Sequence, residues 1–304
     1  MTAGCPAGSL ALFLCGDIMT GRGIDQILPH PSKPQLFEPY VRSARDYVRL
    51  AERTCGALKP PVDFSYIWGD ALAELERMAP DARIVNLETS VTASDEAWPD
   101  KGIHYRMHPA NVACLSAARI DCCVLANNHV MDWGRRGLAE TLDTLHRAGL
   151  LTAGAGRTLA RAAAPATVSV SGKGRVLVFA CCTTGSGVPR EWAASRTGSG
   201  VHLLTDLSPR SAETIARQIR ARKRSGDVVV LSVHWGGNWR FDISREERTF
   251  AHQLIDAAGV DLVHGHSSHH VRGMELYKGK LILYGCGDLL TDYEGIAGHE
   301  AYRP

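Results

Sequence analysis

The sequence predicts an α/β fold in which two packed sheets are flanked by helices. Three observations carry this. Short apolar runs recur along the chain as buried strands, and several are followed by segments with apolar residues at helical spacing. Two tight turns, Ser171-Gly172-Lys173-Gly174 and Lys278-Gly279-Lys280, each join strand-like runs and so add antiparallel hairpins to the βα order. Five of the apolar runs end in polar residues able to bind metal, and ligands in layered α/β proteins sit at the carboxyl ends of strands.

The elements follow in order. Residues 10–16 form the first strand, followed by a Gly-rich turn at Gly21-Arg22-Gly23. Pro29, Pro31, Pro34 and Pro39 make 29–39 a surface loop. Helices are expected at 42–57 and 66–78; the second carries Ala71, Leu72, Leu75, Met78 and Ala79 at helical spacing and stops at Pro80. Residues 82–85 are a short strand ending at Asn86-Leu87-Glu88, and 89–108 reads as loop. A helix over 109–118 leads into a strand over 121–126. After Asn127-Asn128-His129, a helix over 135–148 presents Leu138, Leu142, Leu145 and Ala148 on one face and stops at Gly149. Strands follow at 151–153, 166–170 and 176–180. Residues 183–200, rich in Gly, Ser and Thr, are expected to form a mobile loop by the site. Helix 209–224 precedes strand 228–233, helix 244–258 precedes strand 260–263, and 271–277 with 281–284 make the second hairpin. No repeat or linker divides the chain, so 1–304 is expected to be a single domain, brief or cut short at Tyr302-Arg303-Pro304.

Composition narrows the function classes. With 304 residues and 45% hydrophobic residues, the chain can bury a substantial core. The formal charge of +2, from 34 basic and 32 acidic residues, gives no ground for nucleic-acid binding. No stretch approaches the length of a membrane span, so membrane insertion is not expected. The run Arg220, Arg222, Lys223, Arg224 is expected at a helix C-terminus, where it suits the helix dipole. Nine cysteines, an odd number without a CxxC pair and mostly within apolar runs, read as small core residues of a reducing compartment. The first seventeen residues are too short and uncharged for a secretion signal. A cytoplasmic protein is the expectation.

The chemistry lies at the strand ends: Asp17 in LFLCGDIM, Glu88 in RIVNLET, Asn128 and His129 in CCVLANNH, His234 in VVVLSVHWGG, and His264, His266, His269 and His270 in DLVHGHSSHH. Singly, Asp17 reads equally as a turn residue or helix cap, Glu88 as a surface carboxylate and His129 as a satisfied core histidine. Four imidazoles in seven residues rarely arise for packing, and Gly265 lets the backbone turn so that two face one point. Together these residues are a mixed oxygen and nitrogen set for one or two divalent ions. Such ligands leave open positions for a substrate, unlike a closed structural site made of four cysteines. Arg22 is a candidate for binding an anionic substrate group, with an exposed arginine after a turn as the equal alternative. Trp235 and Trp239 read as packing residues that could wall a pocket; Asp132, Asp288, Asp292 and Glu294 are further candidates.

The motifs GDIMTGRG, NLE, ANNHVMDWG, VHWG and GHSSHH, in this order over nearly the whole chain, resemble the CapA family associated with poly-γ-glutamate capsule synthesis, itself similar to the calcineurin-like metallophosphatases. The resemblance implies a four-layered α/β/β/α sandwich with a metal site at the strand ends. It implies Asp17, Glu88, Asn128, His234, His266 and His269 as metal ligands, with Glu88 as the bridging carboxylate. It implies His129 as the acid or electrostatic clamp, and with it Asp17 and His266 as catalytic residues; Arg22, Trp235 and Asp288 are the substrate-binding candidates. Three departures stand out: Met19 where a histidine is usual, Glu88 where an aspartate is usual, and both Ser267 and Ser268 between the last histidines. One imidazole fewer weakens one metal position, so a single ion, or a site tolerant of Mn, Mg or Ca beside Zn or Fe, is expected.

The resemblance implies a metal-dependent enzyme doing acid–base or hydrolytic chemistry on a peptide- or polyglutamate-like substrate, including α-carbon epimerisation of a peptide. A metal-dependent phosphoesterase acting on a small anionic substrate is the first alternative. A non-enzymatic capsule-polymer assembly factor is the second, weakened by the expected lack of a membrane anchor.

Overall fold

The computed structural model describes residues 9–294. The first strand, β1 (Leu12–Ile18), runs two residues past its expected end, so Asp17 lies on the strand rather than after it. The Gly-rich turn is the start of a short helix, α1 (Arg22–Ile27). Helix α2 (Ala44–Cys55) is capped by the Ser43 hydroxyl and closed by Gly56 at φ +88°. The helix expected over 66–78 is broken at Gly69 into a 3-10 turn, Tyr66–Trp68, and α3 (Ala71–Met78).

Strand β2 (Ala82–Leu87) is buried on both faces. Two segments of the expected 89–108 loop, β3 (Ser90–Val91) and β4 (Arg106–Met107), pair in parallel. Helix α4 (Ala113–Ala117) follows a 3-10 turn and leads to β5 (Cys122–Val124); α5 (Gly134–Arg147) leads to β6 (Leu151–Ala153) and β7 (Ala155–Gly156). Past α6 (Leu159–Ala162), the hairpin of β8 (Ala166–Val170) and β9 (Gly174–Thr183) forms around the expected turn. The short strands β10 (Gly200–Val201) and β11 (Leu203–Leu204) precede α7 (Pro209–Arg220) and β12 (Val228–His234). Helix α8 (Arg245–Ala258) opens with a full capping box between Ser244 and Glu247 and closes at Gly259 in the left-handed region. Then come β13 (Leu262–His266), the hairpin of β14 (Met274–Tyr277) with β15 (Lys280–Leu283), and β16 (Asp288–Leu290).

Helix α7 stops at Arg220, the first residue of the basic run, which lies in its last turn, and the run also ends the neighbouring helix. Arg220 donates to the Ala257 carbonyl at 2.9 Å and Lys223 to the Gly259 carbonyl at 2.5 Å. Cations on the last carbonyls of α8 answer the negative end of its dipole.

The strands form two main sheets. One is wholly parallel, in the order β16-β1-β2-β5-β6. The other runs β11-β9-β12-β13-β15-β14, with β8 also on β9; its members β11, β9, β12, β13 and β15 are mutually parallel. Alternation along the strands separates the cores. On β9, Val176, Val178, Ala180 and Cys182 pack with Ile84 and Val85 of the first sheet, together with Leu115 of α4 and Leu138 and Leu142 of α5. Their neighbours Leu177, Phe179 and Cys181 pack instead on Ile215 and Ile219 of α7 and Phe250 and Leu254 of α8. One face of the second sheet therefore meets the first sheet and the other meets helices, which fixes which side chains of β12 and β13 reach the interior.

Candidate metal centre

The carboxyl ends of the parallel strands deliver the candidate side chains, and strand period selects them. Residues two apart on a strand face alike, so Asn86 and Glu88 point together, and Asp17 stands beside Asn86 in the register of β1 and β2. The Asn86 carboxamide donates to Asp17 Oδ1 at 2.7 Å and to Glu88 Oε2 at 2.9 Å. Its oxygen accepts from Asn127 Nδ2 at 3.0 Å, and the Asn127 oxygen accepts the backbone N–H groups of His129 and Val130. Both acids are fully buried, and Asp17 Oδ2 and Glu88 Oε1 have no hydrogen-bond partner. Burial, helped by the charge of Asp288, pushes Asp17 up to about 7. Burial and the charge of Asp17 push Glu88 well above the usual carboxylate range. Buried carboxylates with unpartnered oxygens are costly unless a cation answers them, so the donor set fits a divalent ion.

The imidazoles come from the second sheet. His234 and His266 are register partners on β12 and β13, with their Nδ1 atoms 2.7 Å apart. Ser232 holds the far nitrogen of His266 at 2.8 Å, and the Asn128 side-chain oxygen Oδ1 holds the far nitrogen of His234 at 3.0 Å. Burial keeps both rings well below the ordinary histidine value, hence neutral, the form that ligates metal. His264 faces the same way but reaches the Cys15 carbonyl at 2.8 Å, joining β13 to β1. His269 stands in the left-handed region at φ +60°. Its Nδ1 lies 3.0 Å from Asp288 Oδ1 and 3.7 Å from Asp17 Oδ2. Burial opposes its protonation, but the Asp288 hydrogen bond and the two negative charges hold it above the ordinary value. Two groups could each hold an ion, with ligand atoms mutually within 4.8 Å: Asp17, His234, His266 and Asp17, His269, Asp288.

A cleft of about 490 Å³ opens beside these groups, lined by Lys101, Tyr105, Asn128, His129, Trp239 and His269 among others. His129 Nδ1 lies 2.7 Å from Asp132 Oδ2, and Lys101 Nζ lies 2.6 Å from Asp132 Oδ1. Nδ1 also lies 3.0 Å from Lys101 Nζ; the shorter contact, to the acceptor-only Asp132 carboxylate, assigns the proton to Nδ1 and turns the Nε2 lone pair to Glu88 Oε1, 4.0 Å away. Burial brings His129 down to about 4, against the pull of Asp132. Burial would raise Asp132, but the charges of His129 and Lys101 bring it below the ordinary value.

Residues 11–293 match the model of the family described as bacterial capsule synthesis protein PGA_cap. The chain belongs to that capsule synthesis family. It is 51% identical over 295 residues to a probable polyglutamine synthesis accessory protein of Mycobacterium tuberculosis, covering 97% of this chain and 77% of that one. It is 26% identical over 287 residues to the PGA biosynthesis protein CapA of Bacillus subtilis, covering 93% of this chain and 63% of that one. The capsule biosynthesis protein CapA of Bacillus anthracis is 24% identical over 283 residues, at 93% and 60% coverage. The resemblance read from the five motifs is thus a family relationship.

In this member of the capsule synthesis family, the residues expected at the strand ends do meet, but three substrate-binding candidates have other places. Arg22 is 2% exposed, and its guanidinium donates to Glu38, Tyr47 and Asp292 while stacked among the rings of Tyr47, Tyr105 and Tyr293. It is a structural cation, not an anion receptor. Trp235 follows His234 on the chain and so faces the opposite side of the sheet. It is buried against Phe250 and Tyr284, with its indole N–H on the Tyr284 carbonyl at 3.0 Å. Trp239 lines the cleft instead. Asp288 sits against His269 within one of the candidate ion groups. Asn128 touches His234 through the nitrogen opposite the His266 contact, so as it stands it orients that ring. Of the lesser candidates, Asp132 and Asp292 are internal partners of His129 and Arg22, and Glu294 is exposed.

Within 183–200, Trp192 is buried and Ser186 donates to the His234 carbonyl at 3.0 Å, so this segment packs on the strand that carries His234. Asn86, Asn127, Lys101 and Tyr105 went unassigned in the sequence. Asn86 was detectable, two residues before Glu88 on the same strand face; Lys101 lies in a segment without periodicity and gave no signal. Among the described residues every cysteine is free, and no helix is long and apolar enough to cross a membrane.

Proposed function

We propose that the chain is a metal-dependent enzyme acting by acid–base or hydrolytic chemistry on a peptide- or polyglutamate-like substrate. One observation carries the reading: Asp17, fully buried with an unpartnered oxygen, groups with the neutral rings of His234 and His266, and Glu88 Oε2 lies 3.8 Å from His234 Nδ1. The family and the names of its relatives, which refer to PGA biosynthesis and polyglutamine synthesis, support a polyamide substrate. The helix cover on the second sheet and the shared core between the sheets support a four-layered α/β/β/α sandwich of metallophosphatase type.

Asp17, Glu88, His234, His266 and His269 would hold one or two divalent ions, with Asn128 behind His234. Bound there, such an ion supplies Lewis-acid polarisation of a substrate oxygen or carbonyl. The chain does the rest. Asn86 fixes the two carboxylates. Asp132 fixes the His129 tautomer, so that Nε2 faces the cleft as a proton acceptor or, once protonated, a donor. Trp239 and Tyr105 wall the opening and limit water.

The test is turnover by protein reconstituted with Mn2+ or Zn2+ on polyglutamate, on peptides, and on p-nitrophenyl and bis-p-nitrophenyl phosphate. Chelator-sensitive cleavage of an amide, or deuterium uptake from heavy water without cleavage, is the expected result. Turnover confined to the phosphate esters would move the assignment to a phosphoesterase. Activity unchanged by chelation, or no metal binding, would overturn it.

A further inference from the structure

Asp288 was outside the ligand set implied by the motifs, yet its geometry is that of a ligand. We infer that Asp288 completes, with Asp17 and His269, a carboxylate-rich cation position distinct from the imidazole-rich position of Asp17, His234 and His266. The inference rests on the metal-dependent reading above and adds to it a second ion of harder chemistry.

The deciding detail is which nitrogen of His269 faces which acid. A carboxylate that merely steadies a ligating histidine bonds the ring nitrogen turned away from the ion. Here a single nitrogen, Nδ1, lies 3.0 Å from Asp288 Oδ1 and 3.7 Å from Asp17 Oδ2. Both acids therefore sit on the same side of the ring, around one point. Asp17 Oδ2, fully buried, has no hydrogen-bond partner and is directed at that point. A proton on Nδ1 answers two carboxylates incompletely; a divalent ion in its place answers both.

The backbone is built to bring Asp288 there. Strand β16 lies parallel to β1 with Asp17 opposite Asp288, and the register shifts between Asp17 and Ile18. The approach is so close that a Cβ on Gly16 would fall 1.8 Å from the Gly287 carbonyl oxygen, while the Asp17 N–H donates to that same oxygen at 2.8 Å. Gly287 takes φ +69°, in the left-handed region that favours glycine. On the other flank Ser267 at φ +109° and His269 at φ +60° hold strained backbone that turns the imidazole inward. Two carboxylates and one imidazole suit Mn2+, Mg2+ or Ca2+, whereas the position with two imidazoles suits Zn2+, Fe2+ or Mn2+.

The test is Mn2+ binding to chelator-stripped full chain, by calorimetry for stoichiometry and by electron paramagnetic resonance for coupling between neighbouring ions. The wild type is expected to take two ions per chain and give a coupled spectrum. D288N and H269Q are each expected to take one ion, uncoupled, and H234A to lose the other. Thermal melting of each variant checks folding, and the pair of variants keeps the result readable if one unfolds. Two coupled ions in folded D288N, or a single ion in the wild type, would overturn the inference while the metal-dependent reading survives. No ion in the wild type would sink both.

Discussion

The carboxamide of Asn86 lies 2.7 Å from Asp17 Oδ1 and, with its other hydrogen, bonds Glu88 at 2.9 Å, so one neutral side chain spaces two buried acids. Replacing it tests whether that spacing matters. Asn86→Leu removes both donors and costs the Asn127 amide one of its two acceptors, the Leu87 carbonyl remaining. It is expected to cost roughly 1.5–3 kcal/mol in urea unfolding and to weaken Mn2+ binding at least tenfold. Unchanged binding in a folded variant would show that the acids need no spacer.

Asp17 is a burden on the metal-free fold. Its carboxyl is pushed up to about 7, while in the unfolded chain it ionises near 4. Across that window the unfolded state has released the proton and the native state has not, so stability falls as pH rises from about 4 to 7. Asp17→Asn removes this term. At pH 8 the variant is expected to be more stable than chelator-stripped wild type by about 2–4 kcal/mol, and its melting temperature should no longer respond to Mn2+. Wild type should gain about 2.7 kcal/mol at an ion concentration one hundred times its Kd.

His129 is expected to depend on Asp132 for its tautomer and not for its place. Asp132→Asn should lower kcat by about 10²–10⁴ while bound-ion stoichiometry stays at the wild-type value. A variant that loses metal instead would make Asp132 part of the ion site.

Away from the site, His202 is buried, with Nδ1 on the Ala180 carbonyl at 3.0 Å. Burial lowers its value, against the pull of that hydrogen bond. Below about pH 6.5 the unfolded chain binds a proton that the native chain refuses, so stability is present above that pH and lost as pH falls. His202→Gln should flatten the decline between pH 6.5 and 5 by up to about 1.4 kcal/mol per pH unit. Parallel pH profiles for the two proteins would exclude His202 as a contributor.

Arg22 separates two readings cleanly. As a structural cation, its loss leaves Glu38 and Asp292 buried and uncompensated, at a cost of about 3–5 kcal/mol. Arg22→Lys should rescue little, because an ammonium cannot reproduce the fork and ring contacts. A rise in KM with unchanged unfolding would restore it as a substrate residue.

How much of this was readable in the chain follows from the range of each interaction. The apolar runs ending at Asp17, Glu88, His234 and His266 were visible because strand burial leaves a local signature. For Trp235, which read as a packing residue that could also wall a pocket, the same period-2 rule selects packing: a neighbour of an inward His234 must face outward. Arg22 could not be read, because its partner Asp292 lies 270 residues away and nothing local announces the pairing. Asp288 stood among the substrate-binding candidates, but the pairing of β16 with β1 is set by glycine contacts that have no pattern in one dimension.

That pairing also bears on how the protein folds. The neighbours β1 and β16 stand at opposite ends of the described chain, so their contact has the largest sequence separation of any strand pair in the first sheet. Closing so long a loop adds little to the equilibrium cost, which grows only as the logarithm of length. It does slow folding, because contacts of high separation form late. Both sheets can condense while Asp17 still lacks its last neighbour, so refolding should recover secondary structure before it recovers the full complement of bound ions.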